Sequence, residues 1–379
     1  MKNRAQLSVS RSALVSNFRI IGKKVPHLKL LPMIKANAYG HGAIFAAQAL
    51  KQEKQLHGFG VATFAEAMQI RESLKNSRLP ILVFSDCAPW TEEKLRACVK
   101  YQLQPVFSEI LSLLTFQKQS GAKAISAHVE VNTGMNRLGI PIESLSLLRF
   151  TPTSVFTHLA DADHPESSLT QLQISNYEKT IEWVRARYPH ALLHFANSST
   201  IWNQRKFPLL EQMQLARPGL SLYGIRPFEK AKEDGLKRVM TVRVPIINKI
   251  YLNEGDQVGY GGTYICTQKK GEWVAILGAG YADGIFRSLG NAGIAVYGAG
   301  SKKSSARHTF GQKLNFLGRV SMDLSAIEGT AAMKIGDLVT LWGNEIDPYE
   351  QSNYANTIPY ELTTRLGAQG SVRIERIEE

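Results

Sequence analysis

The residues of this chain best suited to chemistry are a lysine, Lys35, two arginines, Arg137 and Arg217, a histidine, His158, and the small polar residues Asn132, Asn197 and Ser198. Lys35 ends an apolar run in Leu31-Pro-Met-Ile-Lys-Ala-Asn-Ala-Tyr-Gly-His-Gly42. An ammonium leaving a buried strand loses proton affinity, and the neutral amine is a nucleophile for an aldehyde. The same position also suits a structural lysine that snorkels to solvent along its own methylenes. Each of the other residues, taken singly, reads as a loop or cap residue. Their shared placement points to a site, because they follow separate apolar runs.

Those runs set the architecture. Eight strand-like stretches cover 28–36, 56–62, 81–85, 103–107, 125–131, 154–159, 191–196 and 213–216. Helical patterns separate most of them, at 43–51, 64–74, 91–100, 108–118, 142–150 and 169–188. The alternation predicts an α/β fold with an N-terminal (β/α)8 barrel of the TIM type, and an open doubly wound sheet is the competing arrangement. A barrel collects its functional groups at the C-terminal ends of many strands. Lys35 ends the first run, Asn132 and Arg137 follow the fifth, His158 ends the sixth, Asn197 and Ser198 end the seventh, and Arg217-Pro-Gly-Leu220 follows the eighth.

The charged segment from Glu229 to Arg238 reads as a linker, and beyond it the helical rhythm stops. Strand-like runs at 239–252, 258–266, 273–278, 294–297, 314–327 and 338–342 are bounded by Gly, Asn and Asp. They predict a mostly β second domain, dividing the chain into 1–232 and 233–379. The alternating Ala5–Ser10 is a strand that can pair with the second domain, and a helix is expected over 11–21.

With 379 residues, 44% hydrophobic and 20% charged, the chain suits two globular domains. It has no apolar run of membrane-spanning length and no signal-peptide pattern, so a cytoplasmic protein is expected. The three cysteines, Cys87, Cys98 and Cys266, form no CxxC pair, which fits reduced thiols and no metal site. The formal charge of +13 is dispersed, with no basic run interleaved with aromatics, so no nucleic-acid partner is expected. The densest basic pairs, Lys269-Lys270 and Lys302-Lys303, read as solvated turns.

Over nearly its whole length the sequence resembles the alanine racemase family of fold-type III pyridoxal-phosphate enzymes. The segment Lys35-Ala-Asn-Ala-Tyr-Gly-His-Gly42 matches the family's lysine motif. The resemblance implies that Lys35 holds the cofactor aldehyde and Tyr39 its phosphate. Asn132-Thr-Gly-Met-Asn-Arg-Leu-Gly139 resembles the loop whose arginine, here Arg137, holds the substrate carboxylate and the cofactor's ring hydroxyl. Thr157-His-Leu-Ala160 supplies His158 to the pyridine ring, and His194-Phe-Ala-Asn-Ser198 supplies His194 as a support for the next arginine, with Asn197 and Ser198 at the cofactor. Arg217-Pro-Gly-Leu-Ser221 gives Arg217 to the ring nitrogen and the amides near Gly219 and Leu220 to the phosphate. The fold that the resemblance implies is the barrel plus β domain already read from the runs.

A guanidinium has only donors, so the nitrogen facing Arg217 stays an unprotonated acceptor. The ring is then a weaker electron sink, and charge stays on the substrate Cα, which favours return of a proton there. Racemisation needs a base on each face. Val258-Gly-Tyr-Gly-Gly262 resembles the family segment whose tyrosine, here Tyr260, is the second base and reaches the other subunit's barrel. A homodimer with composite sites is therefore implied, with L- and D-alanine interconverted for peptidoglycan precursors. Lys35 is expected to serve the D-enantiomer and Tyr260 the L-enantiomer, with Arg137, His158 and Arg217 as sources of positive field for Tyr260. By the same resemblance, Met322 offers its amide to the substrate carboxylate, Tyr360 narrows the pocket with Tyr260, and Tyr281, Arg287, Arg319, Asp163 and Ile358 line the access corridor.

Two places depart from the family pattern. Glu130 stands where many members carry a carbamylated lysine, and we expect it to orient Arg137 through a water or a rearranged side chain. The segment Thr363 to Arg373 strays from the usual ending, which leaves the last strand open. The alternative activities are a broader racemase acting on serine or basic amino acids, a barrel-only pyridoxal-phosphate carrier, and a decarboxylase. The full β domain with its Gly-Tyr-Gly motif argues against the carrier. The absence of a C-terminal cysteine motif argues against the decarboxylase.

Overall fold

The computed structural model of the chain describes residues 5–75, 77–232, 234–298, 311–368 and 374–379. It divides into two units: Leu14–Ala38 with Ala43–Leu236, and Met1–Ala13 with Tyr39–Gly42 and Lys237–Glu379. The chain opens on β1 (Ala5–Val9), which belongs to the second unit.

The first unit is a ring of parallel strands. They are β2 (Lys29–Leu30), β3 (Phe59–Val61), β4 (Ile81–Val83), β5 (Gln104–Phe107), β6 (His128–Glu130), β7 (Ser154–Phe156), β8 (Leu192–His194) and β9 (Leu215–Ala216). β3 to β8 pair in sequence order, and β2 pairs with β9. Bridges Met33↔Gly60 and Ala196↔Ala216 join the two pieces, so the sheet closes and has no open edge. This is the barrel expected from the runs, and the open sheet is excluded. Apart from the first residues of β2, β5 and β8 the short strands are buried, as apolar runs flanked by turn residues require, and Leu31, Leu82, Val106 and Phe156 pack together inside. Helices begin at side-chain caps: Thr63, Thr91, Glu109 and Ser167 each accept a backbone N–H of the first turn.

Three expectations for this unit change. The run 28–36 is strand only at Lys29–Leu30, and Lys35–Tyr39 is a separate turn. The segment 142–150 forms a 3-10 helix over Ile142–Leu147, where Pro141 and the i+3 spacing of buried Leu145 and Leu148 favour a tighter turn. The charged linker is fastened to this unit, since Lys24 Nζ lies 2.6 Å from Asp234 and Trp202 Nε1 donates to Lys232 O at 2.9 Å.

The second unit is mostly β. Its strands after β1 are β10 (Met240–Leu252), β11 (Gln257–Val258), β12 (Tyr264–Ile265), β13 (Glu272–Leu277), β14 (Ile294–Tyr297), β15 (Gln312–Asn315), β16 (Ser325–Glu328), β17 (Leu338–Trp342) and β18 (Ile374–Glu378). The main sheet runs β15-β14-β17-β10-β1-β18, with β13 on β10 and β16 on β13. A register shift near Ile246–Asn248 lets β10 pair with β17 along its first half and β13 along its second. β1 pairs antiparallel with β10 and parallel with β18. The final strand therefore forms; Gln369–Arg373 before it, like Lys302-Lys303, lies outside the described residues.

Two continuous runs in the sequence prove discontinuous. The 258–266 run is cut by a 3-10 turn at Tyr260–Gly262, where Gly259, Gly261 and Gly262 have positive φ. The 314–327 run is cut after Asn315 by the Gly318 turn, leaving β15 and β16. Two helices, Pro348–Tyr354 and Pro359–Gly367, add to the strands, each with proline in its first turn.

Candidate active site

Lys35 is followed by a left-handed turn. Ala36, Asn37, Ala38 and Tyr39 have φ between 50° and 55°. L-residues resist this conformation at about 1–2 kcal/mol each, so outside contacts must hold it. Ala38 N donates to Ile34 O at 2.9 Å, Ala43 N to Asn37 Oδ1 at 2.9 Å, and Ala36 N to Glu66 Oε1 at 2.6 Å. The other oxygen of Glu66 accepts from Ala62 N and Thr63 N at 2.8 and 3.1 Å. One carboxylate thus ties the lysine's turn to the end of β3.

Desolvation lowers the proton affinity of Lys35, and the charges of Arg137 and Arg217 lower it further, against the opposing fields of Glu66 and Glu130. Glu130, at the end of β6, is 6% exposed, and burial pushes its carboxyl up while Arg217, Arg137 and Lys35 pull it down. It forms no ion pair with Arg137 among the described residues, and Arg217 is the stronger of its cationic neighbours. Arg137 is exposed on a loop that Asn132 shapes: Asn132 Oδ1 accepts from Gly134 N and Asn136 N at 3.0 and 3.1 Å.

Arg217 is buried just after β9, where its Nη1 donates to His194 Nδ1 and its Nη2 to Thr157 O at 2.8 Å. Burial lowers even this guanidinium to about 10, with Glu130 opposing the shift. His158 Nδ1 stands 3.4 Å from Arg217 Nη2, and burial with the charges of Arg217, Arg137 and Lys35 lowers its ring to about 3. His158 is therefore neutral, which corrects its expected part as a source of positive field.

Ser198 Oγ, at the start of the helix Ser198–Trp202, accepts from Gly219 N at 3.0 Å and Ser221 N at 3.4 Å. Its own proton remains available to donate. Ser221 Oγ is buried without a hydrogen-bond partner among the described residues. Two hydroxyls and the Gly219–Leu220 backbone thus converge where an anion is expected. Asn197 Oδ1 caps that helix by accepting from Thr200 N at 2.9 Å.

The second unit holds the other expected residues. Tyr39 and Tyr360 stack at a tilt with centroids 5.9 Å apart, and burial together with Tyr360 raises the Tyr39 phenol. Tyr260 is 71% exposed and Met322 54%. The Tyr281 segment is pinned beside Met322, with Tyr281 N donating to Ser321 O and Ala282 N to Met322 O, each at 2.9 Å. Tyr281 and Arg287 line one open pocket with Phe286, Ser288 and Arg365. Arg319, whose Nη1 would be 3.1 Å from a Cβ on Gly261, lies beside the Tyr260 turn. Ile358 in this unit and Asp163 in the barrel are exposed.

The alanine racemase N-terminal domain family matches residues 9–227, and its C-terminal domain family matches residues 239–376. The chain belongs to the alanine racemase family. The alanine racemase of Nitrosococcus oceani is 31% identical over 373 residues, covering 95% of this chain and 96% of its own length. That of Haemophilus influenzae is 29% identical over 374 residues, covering 96% of each. Among solved structures, the Acinetobacter baumannii alanine racemase is 28% identical with a TM-score of 0.82 over 100% of both chains. The Bartonella henselae alanine racemase, described with covalently bound pyridoxal phosphate, is 26% identical with a TM-score of 0.83 over 100% of both.

For a chain of the alanine racemase family, several supporting residues here escape a motif search. Glu66 is one, although Thr63-Phe-Ala-Glu66 carries the capping-box spacing that could have drawn notice. The helix Ser168–Arg187 supplies three more. Gln173 donates to His158 O at 3.0 Å, Asn176 to Thr133 O at 2.9 Å, and Tyr177 OH to Val155 O at 2.9 Å. They fall at i, i+3, i+4 on the buried face, a spacing that reads only as a packing stripe until the strand ends beneath it are known.

Proposed function

We propose that this chain interconverts L- and D-alanine with pyridoxal 5'-phosphate as cofactor. The observation that carries the reading is the cluster of Lys35, Arg217 and the Ser198–Ser221 hydroxyls on the C-terminal side of one barrel, in a chain of this family. The residues fit the cofactor: an amine of lowered proton affinity for its aldehyde, a donor-only guanidinium for its ring nitrogen, and the orphaned Ser221 hydroxyl with Ser198 for its phosphate. When bound, pyridoxal phosphate supplies the aldehyde that captures an amine and a ring that withdraws electrons from the attached carbon.

The chain's own groups do the rest. Lys35, its proton affinity lowered by desolvation and by Arg137 and Arg217, can take or return a proton at the substrate Cα from one face. Arg137 and the Met322 amide hold the substrate carboxylate. Arg217 is held in place by donating to His194 Nδ1 and Thr157 O, and having only donors it cannot take a proton from the group it faces. Tyr260 serves the opposite face. Its exposure within one chain supports a composite site, in which the tyrosine reaches the barrel of a second copy. Lys35 then handles the D-enantiomer's proton and Tyr260 the L-enantiomer's. No helix among the described residues is long and apolar enough to cross a membrane, and we place the activity in the cytoplasm, supplying D-alanine for peptidoglycan precursors.

The test is an alanine racemisation assay on wild type, Lys35→Ala and Tyr260→Phe, together with borohydride reduction to fix the cofactor on its lysine. Wild type should racemise alanine and retain the label on Lys35. Lys35→Ala should lose both, and Tyr260→Phe should lose about 10²–10⁴-fold in rate while keeping the label. An unchanged rate in both directions for Tyr260→Phe would remove the two-base assignment.

A further inference from the structure

A line of buried side chains runs from Arg217 through the barrel interior. Arg217 Nη1 meets His194 Nδ1, and His194 Nε2 lies 3.1 Å from Ser154 Oγ. Ser154 Oγ lies 2.7 Å from His128 Nδ1, and His128 Nε2 lies 2.9 Å from Gln104 Oε1. His128, Ser154 and His194 have no solvent exposure, each at 0%. They stand on adjacent strands β6, β7 and β8, where the register pairs His128 with Ser154 and Phe156 with His194.

The donor inventory gives this line one direction. Arg217 can only donate, so His194 Nδ1 must accept, and the ring's proton must sit on Nε2. That proton goes to Ser154 Oγ. The serine's single proton then goes to His128 Nδ1, and the His128 proton on Nε2 goes to Gln104 Oε1. The line begins at a group without an acceptor, and with the Gln104 amide presenting Oε1 to His128 and both rings neutral, each proton has one place along it. A neutral state of both rings agrees with their burial, which holds His194 well below its ordinary value and His128 at about 3.

We propose that Ser154 is a positioning residue: by accepting from His194 and donating to His128, it fixes His194 as the Nε2–H tautomer whose bare Nδ1 holds Arg217. Without the hydroxyl, His194 can carry its proton on Nδ1, which sets two donors against each other and displaces the guanidinium. The consequence for rate rests on the racemase reading; the tautomers rest on geometry alone.

The experiment is ring ¹⁵N–¹H correlation spectroscopy of the full chain labelled at histidine, with and without pyridoxal phosphate, beside steady-state racemisation of alanine. In wild type at neutral pH, His128 and His194 should both be neutral and protonated on Nε2. Ser154→Ala should shift the His194 ring nitrogens toward the Nδ1–H form and lower kcat about tenfold with little change in KM. Ser154→Thr, which keeps the hydroxyl, should restore both. An Nδ1–H proton on either ring in wild type overturns the proposal, as does a Ser154→Ala spectrum with His194 unchanged, whatever its rate. If Ser154→Ala does not fold, the wild-type spectrum still decides. A wild type that fails to racemise alanine would instead remove the racemase reading and leave the relay to the spectra.

Discussion

Lys35 is useful only while it is neutral, and its neighbours set that condition with opposing signs. Arg137 lowers its proton affinity and Glu130 raises it. Removing the arginine's charge in Arg137→Gln should therefore raise the pH at which the amine captures an aldehyde, whereas Glu130→Gln should lower it. Capture rates measured across a pH series on the cofactor-free chain would check both directions, and equal shifts of one sign would contradict the arrangement. Glu66 acts through the backbone as well as through charge. Glu66→Ala strands three amide donors and should cost about 1–3 kcal/mol, read as a lower urea midpoint with unchanged slope. The motif around Lys35 was legible as a match to the family's lysine segment, whereas the lysine taken alone also suited a snorkelling structural residue. Glu66 was not, since its importance comes from which amides it reaches after folding.

At the scale of elements, the left-handed turn is the unusual piece, and the glycine after it marks its limit. Gly40 has φ +86°, and a Cβ there would stand 2.2 Å from Thr363 O and 3.1 Å from Gly367 Cα. Neither backbone can yield easily. Gly40→Ala should therefore destabilise the protein by about 2–4 kcal/mol, a loss visible as a lower melting temperature. The sequence revealed the glycine punctuation and most element boundaries through hydrophobic periodicity. It did not reveal the turn, because Ala36 and Ala38 have no intrinsic preference for positive φ, and the contacts that hold it come from Ile34, Ala43 and the distant Glu66.

The whole molecule carries its buried imidazoles as a charge it cannot accept. His128 and His158 are each lowered to about 3, against 6.5 when unperturbed. As pH falls below 6.5 the unfolded chain binds protons that the native rings refuse. Stability should thus be full above that value and decline toward pH 3, by about 1.4 kcal/mol per pH unit for each ring. Urea midpoints between about pH 6.5 and 5 should show this slope, and His128→Asn should remove one ring's share. The proposed composite site makes a prediction of its own. Lys35→Ala and Tyr260→Phe, each inactive, should regain about a quarter of wild-type activity when mixed and allowed to exchange subunits, because half the dimers are mixed and each then holds one intact site. No recovery would mean that both bases come from one chain.

The sequence by itself determined the two kinds of domain and the order of eight barrel strands, and through its motifs singled out candidate reactive residues, because apolar periodicity and residue chemistry are local properties. Tertiary structure alone decided how those residues behave. It closed the ring through Met33↔Gly60 and Ala196↔Ala216, lowered the proton affinity of His158, buried Glu130 within the field of Arg217, and joined His128, Ser154 and His194 across three strands. Burial, proton affinity and hydrogen-bond direction depend on what stands within a few ångströms in space, and residues far apart in sequence supply it.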